Sequence, residues 1–189
     1  MQLLNTLFIA ASALATLTAA TKAASSTPKS PNKVHFINQD STPRTIHFTP
    51  QIGTPSIASL SLNASGSATV PFPIGWIGNW YSVSKGRKNI PGMLGEVRFD
   101  GYAGATYFDV SAIVNPDDNE GVKMLMPMKG QKPMSGCPDF TTRCGNAYNK
   151  WDDVQTMATL EKELICFVGN GGKESDGKRG RVGRRFVEA

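Results

Sequence analysis

The sequence predicts an all-β domain, a sandwich or a barrel, and three observations carry that reading. From Lys33 onward, short runs alternate apolar and polar residues, as strands with one buried face do. Gly, Pro and Asn punctuate these runs at regular spacing, the pattern of an all-β architecture. The chain also shows no internal repeat, no heptad and no glycine-rich phosphate loop followed by a helix.

In chain order, the first segment sets the compartment. An apolar run from Leu3 to Leu17 passes into small residues around Thr18 to Ala24, the pattern of a signal peptide cleaved between residues 20 and 24. The run is shorter than the roughly 20 apolar residues that a membrane-spanning helix needs, and no later segment comes closer. Residues 1–24 are therefore read as a leader, with a secreted product at the cell wall or outside the cell and no membrane after cleavage. Residues 25–33, rich in Ser, Thr, Pro and Lys, read as a flexible linker.

Residues 34–168 form one domain of ordinary size. VHFIN and RTIHFTP flank a Gln-Asp-Ser-Thr-Pro turn and make a candidate hairpin; SIASLSLN and SATVPFP repeat the pattern around Asn63-Ala64-Ser65-Gly66. WIGNWYSVS, LGEVRFDG and ATYFDVSAI supply further strands. Only Asp152 to Leu164 has a composition that could make a helical turn, and its Val, Thr and Ile suit a strand equally.

Charge separates this domain from its tail. Residues 25–168 carry 13 basic and 12 acidic side chains, so the net charge of +5 belongs mostly to the segment after Val168. Residues 169–189 read as a basic, disordered, solvated tail, and a nucleic-acid groove is not indicated. Of the three cysteines, Cys137 and Cys144 share a Gly/Pro/Thr-containing loop where a short disulfide can brace the chain, whereas Cys166 sits in the apolar run LICFV and should be buried. The thiols lack a C-x-x-C pair and His35 and His47 lie far upstream, so the spacing argues against a metal site. No cofactor is expected. Asn63-Ala-Ser is an N-glycosylation sequon in a turn.

Two segments carry a family resemblance. LGEVRFDGYAGATYFDVSAIV, Leu94 to Val114, resembles the thaumatin-like segment in which a Glu-bearing strand is followed by a Tyr-Asp-Val-Ser strand, and RCGNAYNKWDD, Arg143 to Asp153, resembles that family's Ala-Tyr segment. GVKMLMPM, ELICF and the opening VHFINQDSTPRTIHF follow in matching order, with Ser41 near the place of the family's first Cys, which would leave Cys166 unpaired. Only 28 residues lie between the Leu94 to Val114 and Arg143 to Asp153 segments, too few for the cysteine-rich second domain of larger members. The resemblance thus implies an antiparallel thaumatin-like sandwich alone, most similar to small exported fungal proteins often labelled deoxyribonuclease-like.

What the resemblance implies about chemistry is an acidic cleft for β-1,3-glucan. Glu96 and Asp109 match it best, Asp152 or Asp153 matches the acid after Ala-Tyr, and Asp117 or Asp118 substitutes for an acid replaced by Val114. Arg98, two residues from Glu96, should share its sheet face. A glycosidase needs one protonated and one ionised carboxyl about 5 to 9 Å apart, and Glu96 and Asp109, on consecutive strands, are the candidate catalytic pair. The missing domain removes one wall of the cleft, which favours a noncatalytic, monomeric protein binding cell-wall polysaccharide or a host extracellular protein, of effector or elicitor type. A weak β-1,3-glucan hydrolase is the alternative. A nuclease, third, would need a metal on Asp117, Asp118 and Glu120. Trp76, Trp80, Tyr81 and Tyr102 could stack on sugars, though core packing is the commoner use of such rings; Tyr148 reads as structural.

Overall fold

The computed structural model describes residues 32–116, 118, 121–138 and 144–170. The leader, most of the linker, the tail beyond Asn170, and Asp117 and Glu120 lie outside the described residues. Eleven strands are described: β1 (Lys33–Asn38), β2 (Arg44–Pro50), β3 (Leu60–Leu62), β4 (Ser67–Pro71), β5 (Ile77–Ser84), β6 (Leu94–Arg98), β7 (Thr106–Ser111), β8 (Val122–Pro127), β9 (Ser135–Gly136), β10 (Met157–Thr159) and β11 (Glu163–Val168). A 3-10 turn at Tyr102–Gly104 is the sole helical element among the described residues. The Asp152–Leu164 segment resolves into β10 and the start of β11, so its β-branched residues prevail over any helical preference.

The strands form two sheets, one of five in the order β4-β1-β11-β8-β9 and one of six in the order β10-β7-β6-β5-β2-β3. Pairing is antiparallel except between β1 and β11, which run parallel. Of the sandwich and the barrel that the alternation allows, this is the all-β, two-sheet sandwich. Asn32 and Lys33, at the end of the expected linker, already belong to it: Asn32 is buried and Lys33 begins β1.

The expected first hairpin does not form. β1 pairs with β11 and β4, and β2 with β5 and β3, so the Gln39–Pro43 turn carries the chain from one sheet to the other. A buried polar cluster holds this corner. The Asn38 amide donates to the carbonyls of Thr42 and Asn63, both at 2.9 Å, and Arg44 Nε donates to Asp40 at 2.8 Å. Arg44 also donates to the Ser82 hydroxyl at 2.9 Å, and Asp40 accepts from the Asn170 amide at 2.8 Å. Such a turn satisfies its donors through distant partners rather than through a facing strand, which local periodicity cannot reveal. The segment around Asn63 likewise links β3 in one sheet to β4 in the other.

Between the sheets, alternation supplies the core. Phe36 of β1 meets Trp80 of β5 edge-on with ring centroids 5.5 Å apart, and Phe72 meets Trp76 at 4.9 Å. Both tryptophans are fully buried, and each large apolar side chain so placed stabilises the fold by about 2–3 kcal/mol. The Trp80 indole N–H donates to Cys166 Sγ at 3.3 Å, joining the sheets across the core. Gly95 faces Trp80 across the β5–β6 ladder, and a Cβ there would lie 2.6 Å from the indole, so this strand position requires glycine. Cys137 and Cys144 form the expected disulfide, with Cα atoms 6.1 Å apart, and Cys166 is buried as a free thiol.

Candidate functional site

Burial of alternate residues in β2, β5, β6 and β7 leaves the other alternate set on the outer face of the six-stranded sheet. Register then decides which of those side chains meet. Thr49 pairs with Asn79, Asn79 with Glu96, and Glu96 with Asp109, so four strands contribute one straight polar row. Thr156, just before β10, extends it by donating its hydroxyl to Asp109 at 3.4 Å. The next row along the strands holds Ile77, Arg98 and Tyr107. Together these residues line an open depression of about 610 Å³, bordered on one side by the exposed Ile52.

The β6–β7 hairpin that brings Glu96 opposite Asp109 has a local cause. Asp100 takes a left-handed conformation (φ 54°) in the connecting turn, and its carboxylate accepts from Asn32 at 2.7 Å, the Gly75 amide at 2.9 Å and Lys162 at 2.7 Å. Directly opposed residues share a sheet face with Cβ atoms about 5 Å apart. Arg98 shares the face of Glu96, as its spacing implies, and the register puts Asp109 on that face too.

Asp109 is the perturbed group of the site. Burial, then the charge of Glu96 and a hydrogen bond with it, raise its pKa from 3.8 to about 7, while the Thr156 hydroxyl works the other way. Its Oδ1 is buried and has no hydrogen-bond partner among the described residues. Asp109 therefore keeps its proton well above the ordinary carboxylate range, because burial and a second carboxylate beside it disfavour its charged form.

The remaining acids of the expected cleft do not join this pair. Asp153 accepts from the amides of Asn149 at 2.7 Å and Lys150 at 2.9 Å, closing its own turn. Asp118 accepts from the amides of Met93 at 2.7 Å and Gly121 at 3.1 Å, fastening its loop beside β6. Asp152 is exposed and, like Asp118 and Asp153, does not line the depression. Asp117 lies outside the described residues. Short loops with few backbone partners consume carboxylates as caps, and a sequence does not distinguish such acids from cleft acids.

Tyr148 has a role that links the two motifs. Its backbone pairs alongside the end of β7, with its amide donating to Val110 at 2.9 Å and its carbonyl accepting from Ala112 at 2.7 Å. Its hydroxyl shares a hydrogen bond with Thr156 at 2.9 Å, and Thr156 reaches Asp109. Thr49, Asn79 and Thr156 escaped sequence reasoning, since their place in the row depends on long-range register. Of the aromatic candidates, Trp76 and Trp80 are core residues, Tyr81 stacks on His47 at 5.2 Å, and Tyr102 is exposed. Among the described residues no group of three or more His, Cys, Asp or Glu side chains could hold a metal ion. Asn63 is exposed in its turn, as a glycan acceptor needs to be.

Fold and site together define a two-sheet all-β sandwich with an open, acid-bearing depression on the outer face of its larger sheet. No family model matches the chain. It is 46% identical, over 138 residues, to the antigenic protein SchS21 of Stachybotrys chartarum, a match that covers 73% of this chain and 94% of that protein. The chain belongs to the family of that antigenic protein. The crystal structure of the protein elicitor MoHrip2 from Magnaporthe oryzae superposes with a TM-score of 0.57 at 14% identity, covering 73% of this chain and 98% of the elicitor, which shows a shared fold.

Proposed function

We propose that this chain is a secreted protein of effector or elicitor type that acts at a cell wall or host surface by binding, without catalysis, through the outer face of its six-stranded sheet. One observation carries the reading: the in-register row Thr49–Asn79–Glu96–Asp109–Thr156 lines an open depression of about 610 Å³ and sets donors and acceptors that suit hydroxyl groups along it. Kinship with an antigenic protein and a fold shared with a protein elicitor support the same class, and the leader-like residues 1–24 support export. The thaumatin-like ancestry suggested by the two motifs belongs to this proposal, since both motifs converge on Asp109 through Thr156.

Cell-wall polysaccharide is the proposed ligand. The test is sedimentation of the purified protein with insoluble β-1,3-glucan and chitin, beside capture of host apoplastic proteins. Binding to a polysaccharide that Asn79→Arg abolishes supports the reading. Failure to bind any of the three removes it.

A weak β-1,3-glucan hydrolase is the second reading, favoured by Asp109 standing at about 7 beside Glu96. It ranks second because a retaining enzyme keeps its carboxyls about 5 Å apart with the sugar between them. Here the two stand directly opposite each other on adjacent strands. Glucan cleavage that survives Glu96→Ala with Asp109→Ala would eliminate this mechanism.

A further inference from the structure

We propose that the outer face of the six-stranded sheet carries a second site, for the anionic group of an acidic saccharide, in a depression of about 380 Å³ beside Lys85, Arg87 and His47. The β5–β6 connection places three cations, Lys85, Arg87 and Lys88, within four residues, all exposed and without an ion pair among the described residues. The turn is held in shape: the Lys85 amide donates to the Pro43 carbonyl at 2.8 Å, the Arg87 amide donates to the Ser84 carbonyl at 3.1 Å, and Gly86 supplies a left-handed φ of 83°. No Asp or Glu lines the depression. Arg44, which also borders it, already spends its charge on Asp40, so the net field comes from the turn and is unopposed.

The surroundings select a sugar among anions. Hydroxyls of Thr45 and Ser61 and the Asn89 amide border the same depression, and the Tyr81 hydroxyl donates to Asn89 at 3.0 Å, fixing that amide. The stacked His47–Tyr81 pair separates this depression from the Glu96–Asp109 row. From Thr49 to Thr45 along β2 the two sites are about 13 Å apart at the usual rise per residue. A nucleic-acid duplex is disfavoured, because proteins that grip one commonly neutralise about six to ten phosphates. Three cations beside an acidic pair do not supply that footprint.

This site stands independently of neutral-glucan binding, and the experiment separates the two. Isothermal titration of the full chain, freed of any N-glycan on the neighbouring Asn63, uses an oligogalacturonate and a neutral β-1,3-gluco-oligosaccharide at low and high salt. The oligogalacturonate is expected to bind, to weaken with salt, and to lose tenfold or more in affinity in the K85S/R87S double variant. A tail variant, R179S/R181S/R184S/R185S, is expected to leave that affinity unchanged. Lack of oligogalacturonate binding, undiminished binding by K85S/R87S, or loss only in the tail variant would each overturn the proposal. So would a short DNA duplex that binds as tightly and competes. Loss of neutral-sugar binding alone bears on the acid-lined depression and leaves this site standing.

Discussion

Replacing Asp109 with Asn should flatten one segment of the protein's stability-pH profile. In the folded chain Asp109 keeps its proton up to about 7, whereas the unfolded side chain loses it near 3.8. Between those values the folded state binds more protons, so the contribution of Asp109 to stability falls as pH rises and levels off above about 7. Each unit of separation is worth about 1.4 kcal/mol, which sets a ceiling of about 4 kcal/mol across the window. A change of about 2–4 kcal/mol is therefore expected. Asn is neutral at every pH and nearly the same shape. The variant should therefore gain 2–4 kcal/mol relative to the wild type on going from pH 4 to pH 8, measured by urea unfolding at unit intervals of pH. A wild-type-minus-variant difference that does not change with pH would refute the account of a buried Asp109 that keeps its proton in the folded chain.

Two further perturbations probe the scaffold. Arg44→Met leaves the buried Asp40 carboxylate without its cation, and removing one partner of such a pair costs about 3–5 kcal/mol, so the urea midpoint should fall sharply; an unchanged midpoint would show that the corner does not depend on this contact. Burial pushes the Cys166 thiol up to about 12, with the Trp80 indole N–H acting in the opposite direction, so alkylation of native protein at pH 8 should be negligible and should become stoichiometric in denaturant. Mass spectrometry of the two samples reads the difference, and rapid labelling of the native thiol would contradict the packing of Trp80 against it.

Sequence periodicity located β1 to β7 but not their partners. VHFIN and RTIHFTP look like a hairpin because a polar five-residue stretch lies between two alternating runs. The buried Asn38, Asp40 and Arg44 that turn the chain between sheets read, one by one, as ordinary loop and strand residues. By contrast, the pairing of the Glu96 and Asp109 strands was legible because a short turn joins them, and the common face of the two acids follows from the register of the structure. Asn79 and Thr49 complete the same row from strands whose register is set through β5 and β2 pairing, information spread across the core. Asp118 and Asp153 resembled cleft acids in sequence, yet each is committed to backbone amides of its own loop.

The central claim is that the larger sheet's outer face is the binding surface, and nuclear magnetic resonance tests it most directly. In a titration with a soluble β-1,3-gluco-oligosaccharide, backbone amide shifts should concentrate at Thr49, Asn79, Glu96, Asp109 and Thr156. Shifts confined to the five-stranded sheet, or none at saturating sugar, would contradict it.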